Sequence, residues 1–312
     1  MSKNHGGDVY RILGIGELLW DMLPEGPQLG GAPANYGVMA ARLGNDAAIL
    51  SRIGQDSLGN QALKVLQPFP VDCTHLQTDS EQPTGRVSVS LEEGQPSYTI
   101  HQPVAWDFLA LTEDWLREAG RADAVCFGSL AQRSEHSRNT IHALVRATRP
   151  QCVRIFDVNL RAPFYTAAIV RDSLQLASVM KMNDAEVPLV LGLLGLEKSG
   201  SLRQGAELLL TEFPDLQLVA ITCGGSGSLL VSRTEWHQHP GIPIRVADTI
   251  GAGDAFTAAM THYLLRGASL PVLNDAGNRW GSFVASNAGA MPPISAETLA
   301  TIQQQIGGSV NF

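Results

Sequence analysis

The chain has no C-x-x-C pair, no long run of Lys or Arg, and no apolar stretch long enough to span a bilayer. Each absence closes a class of function. Cys73, Cys126, Cys152 and Cys223 stand far apart, which reads as buried, reduced thiols in a cytoplasmic protein rather than a disulfide or zinc scaffold. With a net charge of −8 and no basic run, nucleic acid and anionic membrane are not expected partners. A phosphorylated ligand would be held by local N–H groups and a few basic side chains. The most apolar window, residues 187–196, is short and cut by glycines, and residues 1–8 lack the apolar core of a signal peptide. A third glycine is missing as well. Gly14-Ile15-Gly16 ends a strand-like run, but Leu19 stands where a dinucleotide fingerprint needs glycine, so a Rossmann cofactor is set aside. His237 and His239 have no nearby Cys or carboxylate and read as an exposed strand rather than a metal pair.

What remains is a 312-residue chain, 44% hydrophobic and 17% charged, which suits one large α/β domain or one with a small appendage. Its organising stretch is Asp248-Thr249-Ile250-Gly251-Ala252-Gly253-Asp254. An apolar, strand-like run (242–246) precedes it and a small-residue helix follows. Strand, glycine turn and helix start together aim backbone N–H groups and partial positive charge at an anion. Asp254 inside such a cradle repels a phosphate. It either caps the helix or takes a proton from a hydroxyl that attacks the phosphate.

Alternating segments fill the rest. Strands are expected at 11–16, 47–53, 124–127, 153–157, 179–182 and 218–222. Helices are expected at 36–43, 54–66, 135–148, 165–177, from 184, and at 202–213, 271–288 and 296–306. That alternation predicts a parallel sheet with helices on both faces. Residues 85–101 differ: Val87, Val89 and Leu91 alternate with polar residues, and Glu92–Gln95 turn. This is an antiparallel hairpin standing apart from the sheet, fit to be a flap or a dimer contact.

Polar residues gather where open α/β sheets bind ligands, past the C-terminal ends of strands. Asp21 follows the first strand and is either a sugar-hydroxyl acceptor or an exposed loop acid. Gly30-Gly31-Ala32-Pro33-Ala34-Asn35 opens a helix; its glycines permit close approach, and Asn35 offers a donor and an acceptor to a polyol. Arg161, in Asp157-Val158-Asn159-Leu160-Arg161, either steadies phosphate or sugar charge or pairs with Asp157. Asn183 and Glu186, at i and i+3, either cap a helix together or hold a hydrated magnesium ion. Thr222-Cys223-Gly224-Gly225-Ser226-Gly227 is either a hairpin turn or a bed for nucleotide phosphates. Asn278 either faces a base or is solvated.

Taken together, these motifs resemble the PfkB (ribokinase-like) family of carbohydrate kinases over nearly the whole chain. The resemblance implies a ribokinase-like three-layer α/β sandwich in one domain, residues 1–312, with a central mostly parallel sheet and a small β-sheet lid from about 17–29 and 85–103. It implies Asp254 as catalytic base, with Gly251, Ala252 and Gly253 as anion hole and Arg161 assisting. Asp21, Gly31 and Asn35 match sugar-contacting positions. Asn183, Glu186, Thr222, Gly224, Gly227 and Asn278 match the ATP and magnesium positions, with Glu186 reaching the metal through water. Asp248 and the Ile250 carbonyl match part of a monovalent-cation (potassium) site. Gly37 departs from the usual Ser, Thr or Ala. Within the family the sequence looks most like fructokinases, implying phosphorylation of fructose at its 6-hydroxyl; 2-keto-3-deoxygluconate and ribose kinases share the plan. A non-catalytic sugar or nucleotide regulator on the same fold is the contrasting class, and it would call for a broken base or anion hole. A homodimer through the lid is a further expectation.

Overall fold

Alternation within the strands builds the central layer of the protein. The computed structural model describes residues 9–24, 26–92, 95–197 and 199–307. The chain enters through β1 (Arg11–Ile15), turns aside into β2 (Leu19–Leu23) and β3 (Gly26–Gly30), then forms α1 (Ala32–Arg42) and β4 (Asp46–Leu50). Next come β5 (Arg52–Gly54), α2 (Ser57–Leu66), β6 (Gln77–Asp79) and the hairpin β7 (Gly85–Glu92) and β8 (Gln95–Ile100). Regular alternation follows: α3 (Glu113–Arg121), β9 (Ala124–Gly128), α4 (Glu135–Ala147), β10 (Val153–Asp157), α5 (Ala167–Leu176), β11 (Val179–Asn183), α6 (Glu186–Leu194), α7 (Leu202–Glu212) and β12 (Leu218–Thr222). The chain continues through β13 (Ser228–Ser232), β14 (Trp236–His239), α8 (Ala252–Leu264), α9 (Leu270–Ala285) and α10 (Ala296–Gln305).

The main sheet runs β14-β13-β12-β11-β10-β9-β1-β4. It is parallel from β4 to β12 and antiparallel at β12–β13–β14. Successive residues feed two cores. Leu13, Val125, Phe156, Met180 and Val219 pack with α3–α7 on one face. Ile12, Ala124, Ile155, Val179 and Leu218 pack with α1, α2, α8 and α9 on the other. That is the expected three-layer sandwich. A second sheet, β3-β2-β7-β8, stands apart, with β2 and β7 parallel and the two flanking pairs antiparallel. The expected turn at Glu93 and Gly94, and the side chains of Val89 and Leu91, lie outside the described residues.

Several expected segments shift for identifiable reasons. The first helix begins at Ala32 rather than 36, because Pro33 fits a first helical turn. Gly37 on it lies against Ile49, where a Cβ would stand 3.1 Å from Cγ1, so the departure from a larger residue suits close helix–sheet packing. The expected strand 47–53 breaks after Leu50; β5 pairs with β6 instead of the main sheet. Residues 242–246, expected as a strand, form no ladder. Pro243, Ile244, Arg245 and Val246 lie toward solvent, and the segment simply connects β14 to the glycine turn before α8. His237 and His239 are half-buried rather than exposed. His239 Nε2 lies 3.4 Å from Asp275 and His237 Nδ1 lies 3.1 Å from the Asn274 amide. Among the described residues no cluster of metal-ligating side chains forms, and no helix is long and apolar enough to cross a membrane.

The start of α2 is tied to the segment that enters the second sheet. Asp56 caps that helix by accepting from Gly59 N at 2.7 Å, and it also accepts from Thr84 N and Oγ1 at 2.8 and 2.7 Å, just before β7. Burial pushes its carboxyl up, but these hydrogen bonds outweigh burial and hold it below 3.8. Asp56→Ala is expected to cost about 2 kcal/mol of unfolding free energy near neutral pH. Because the folded value is depressed, the deficit should shrink as pH falls below 3.8. Denaturant unfolding at pH 7 and at pH 3.5 checks both statements.

Candidate active site

The strand order reverses at β1, whose neighbours are β4 and β9. A crevice is expected there, at the C-terminal strand ends. The loop after β1 carries Glu17, α1 starts beside it, and α8 brings its N-terminus to the same edge.

Asp254 lies in the first turn of α8. The small-residue faces of α1 and α8 pack closely within one core, and Asn35 Nδ2 donates to Asp254 Oδ2 at 2.7 Å. The two positions that sequence reading named separately are therefore joined. Asp254 makes no cap of the kind expected from its residue type; Gly251 occupies the N-cap at φ 76°. Burial pushes the Asp254 carboxyl up to about 6, with the Asp157 charge adding to the rise and Lys181, the Asn35 hydrogen bond and Arg161 opposing it. Asn35 Oδ1 and Glu17 Oε2 are buried without a hydrogen-bond partner, leaving acceptors in want of donors such as sugar hydroxyls supply.

Glu17 is 2% exposed. Burial raises its carboxyl to about 7, and the Asp254 charge adds to the effect. Asp21, beyond it on β2, is half-buried, and its carboxyl is raised by burial against the opposing pull of Arg161. Gly31 caps α1 at φ 109°, and any Cβ there would collide with the Glu17 carbonyl. Arg161 is exposed, bonds the Leu160 carbonyl at 3.1 Å, and acts electrostatically on Glu17, Asp21 and Asp254. Its alternative partner, Asp157, pairs instead with Lys181 at 3.1 Å.

The glycine turn before α8 is held from several sides. A Cβ at Gly251 would stand 2.6 Å from Ala290 Cβ, and one at Gly253 would stand 2.8 Å from Lys181 Nζ. The Ala252 N–H closes onto the Thr249 carbonyl at 3.3 Å. Asp248 accepts from Ile250 N and Gly289 N at 3.0 and 3.1 Å, which fastens the turn to the loop after α9.

Across the crevice, Thr222 and Asn183 are register partners at the ends of β12 and β11. A Cβ at Gly224 or Gly225 would meet nothing within 4 Å, whereas one at Gly227, at φ 85°, would press against the His239 carbonyl and Gly241. The turn is a hairpin, joining antiparallel β12 and β13. Asn183 and Glu186 form the capping pair, with Glu186 N donating to Asn183 Oδ1 at 2.9 Å and Asn183 N to Glu186 Oε2 at 2.8 Å. Leu160 N takes the other Glu186 oxygen at 2.7 Å. Both carboxylate oxygens thus carry backbone bonds, and a metal would meet only their remaining lone pairs. Asn278 departs from expectation. It is buried, and its amide nitrogen is engaged by Ser228 Oγ at 2.6 Å and the Asn274 carbonyl at 2.8 Å, beneath the strands rather than facing a base. Sequence reading missed Lys181, although one signal was available: a lysine between Met180 and Met182 in an apolar strand demands a buried partner.

The chain matches the pfkB family carbohydrate kinase description over residues 27–297. It belongs to that family. The chain is therefore an ATP-dependent carbohydrate kinase in class. It is 30% identical to a fructokinase of Escherichia coli, with 90% of this chain and 94% of the relative covered. An uncharacterized sugar kinase of Pyrococcus horikoshii in complex with ATP superposes with a TM-score of 0.79 at 28% identity, covering 95% of this chain and 99% of that one. A fructokinase of Vibrio cholerae O395 with bound fructose, ADP and calcium gives a TM-score of 0.78 at 25% identity, covering 96% and 99%. The ribokinase-like fold expected from sequence is the fold of these structures.

The raised Glu17 carboxyl of the kinase carries a stability consequence. The folded protein holds Glu17 at about 7 against an ordinary 4.5, so folding favours its protonated form. That contribution is intact below pH 4.5 and is lost as pH rises through 7. Glu17→Gln removes the buried charge and is expected to stabilise the protein at pH 8 by up to about 3 kcal/mol. The gain should fade toward pH 4.5, as followed by chemical unfolding across that range.

Proposed function

We propose that the kinase transfers the γ-phosphate of ATP to the 6-hydroxyl of fructose in the cytoplasm. The observation that carries this reading is the partly buried Asp254 carboxylate in the first turn of α8, which accepts from the Asn35 amide of α1 at 2.7 Å. A carboxyl raised to about 6 is ionised at neutral pH yet more basic than an ordinary aspartate, as a general base requires. The intact base and glycine turn disfavour the regulator class. The choice of fructose is supported by the Escherichia coli fructokinase and the fructose-bound Vibrio cholerae structure.

In this reading Asn35 Oδ1 and the acids Asp21 and Glu17 receive sugar hydroxyls, while Gly31 lets the sugar lie close to the start of α1. Asp254 takes the proton of the attacking hydroxyl. The N–H groups of Gly251 and Gly253, joined by that of Ala252 once it exchanges the Thr249 carbonyl for the anion, oppose the charge that develops on the transferred group at the helix start, with Arg161 nearby. Nucleotide phosphates run over the open faces of Gly224 and Gly225, between Thr222 and Asn183. Gly227 and the buried Asn278 support that turn from below. Magnesium, when bound, would neutralise phosphate charge. Glu186 suits it through water, since its own oxygens are anchored by Leu160 and Asn183. Asp248 and the Ile250 carbonyl would hold potassium beside the turn. The second sheet acts as a lid that excludes water, and exposed Tyr98 on β8 favours a dimer through it.

Turnover of ATP and magnesium with fructose, 2-keto-3-deoxygluconate, ribose, tagatose and adenosine, measured as ADP release, tests the substrate; a stronger response to any sugar but fructose would overturn that choice. Asp254→Asn is expected to keep the fold and lower kcat at least ~10²-fold. Near-normal turnover would remove Asp254 from the base role.

A further inference from the structure

A lysine is seldom buried without a partner, and Lys181 is 7% exposed. Its Nζ lies 3.1 Å from Asp157 Oδ1. The other Asp157 oxygen accepts from Thr257 Oγ1 at 3.2 Å, and the same hydroxyl bonds the Gly253 carbonyl at 2.9 Å. The ammonium is thus clamped beneath the first turn of α8. It occupies the space where a side chain on residue 253 would begin, 2.8 Å from that Cβ position. Its strand neighbours Met180 and Met182 pack into the opposite core, so the lysine occupies the α8 side of the sheet.

We propose that Lys181 is a positioning residue for the Asp254 carboxylate: its clamped ammonium supplies the counter-charge that lets Asp157 and Asp254 share one buried region, and residue 253 is glycine to admit it. This rests on the reading of Asp254 as the base. Asp254 is faced by Asn35 from α1, Asp157 from β10, Lys181 from β11, Arg161 from the loop after β10, and Glu17 from the loop after β1. Among these charges Asp157 opposes ionisation of Asp254 most, and Lys181 favours it most. Removing the lysine alone leaves two acids uncompensated. Removing lysine and Asp157 together removes both influences and leaves neither member of that ion pair buried alone.

The test compares pH profiles of kcat/KM for wild type, Lys181→Met and the Asp157→Asn/Lys181→Met pair, with 13C NMR of labelled aspartate carboxyls assigned through Asp254→Asn. In Lys181→Met the acid limb should move up by about one pH unit. Activity should then fall about tenfold below pH 6 and recover above pH 8, with the KM for ATP unchanged. In the double variant the limb should return most of the way to wild type. A lysine that merely supports the fold would lower activity at all pH values in both variants and leave the limb in place, which would overturn the proposal. If wild type phosphorylates none of the sugars, the base reading fails. The carboxyl titration still decides the charge coupling, and an unmoved Asp254 resonance midpoint in Lys181→Met rejects it.

Discussion

Burying a carboxylate at a helix start without a cation bonded to it is the constraint on which this structure turns. A directly paired lysine or arginine would hold Asp254 ionised but make it a poor proton acceptor. An amide donor fixes the carboxylate while costing it less basicity. Here Asn35 supplies that amide at 2.7 Å, and the cation is displaced one partner away, onto Asp157. The arrangement requires α1 and α8 to approach closely, and their composition permits it. Ala34, Gly37, Ala40 and Ala41 on one helix, and Ala255, Ala258 and Ala259 on the other, lie buried in or beside the same core. Bulkier residues there would separate the helices and break a hydrogen bond between residues 219 apart in sequence.

The glycines divide into two groups with different physical causes. Gly31 yields to the Glu17 carbonyl, Gly227 to the His239 carbonyl, Gly251 to Ala290 and Gly253 to Lys181. Each is small because the protein's own atoms fill the space. Among the glycines of the three turns, only at Gly224 and Gly225 is the space above the backbone open. At the second group nothing in the protein excludes a side chain, which leaves the room that the proposed nucleotide path uses. At the first group the protein's own packing fixes which way the neighbouring N–H groups point.

The α/β alternation, the separate hairpin and the glycine turns were legible in the sequence because each rests on local rules: period-two apolar patterning, turn chemistry and helix caps. Asp254 and Asn35 were each recognisable, yet their bond was not, since it depends on tertiary packing of two distant helices. Residues 242–246 carried an apolar pattern that local rules read as a strand, but Pro243 has no N–H to give a ladder, and the segment forms none and serves as a connector. Asn278 was misplaced for the opposite reason. A polar residue on a helix reads as solvent- or ligand-facing, while here Ser228 and Asn274 satisfy it internally. Lys181 shows the cost of attending only to motif positions, because the buried charge lay two residues before the motif began.

Glu186 shows why two readings of one motif need not compete. A carboxylate that accepts from Leu160 N and Asn183 N is fixed in orientation, and each oxygen still has a lone pair. Direct metal ligation would have to compete with both backbone bonds. A water already bound to a magnesium ion need only donate to a lone pair that is free. The capping geometry is therefore compatible with the outer-sphere role proposed for Glu186. The same logic applies to Asp248, whose two backbone bonds fasten the turn before α8 to Gly289. In the proposed mechanism these backbone bonds would keep both acidic side chains in place beside a phosphate-bearing ligand, too well anchored to follow its cation.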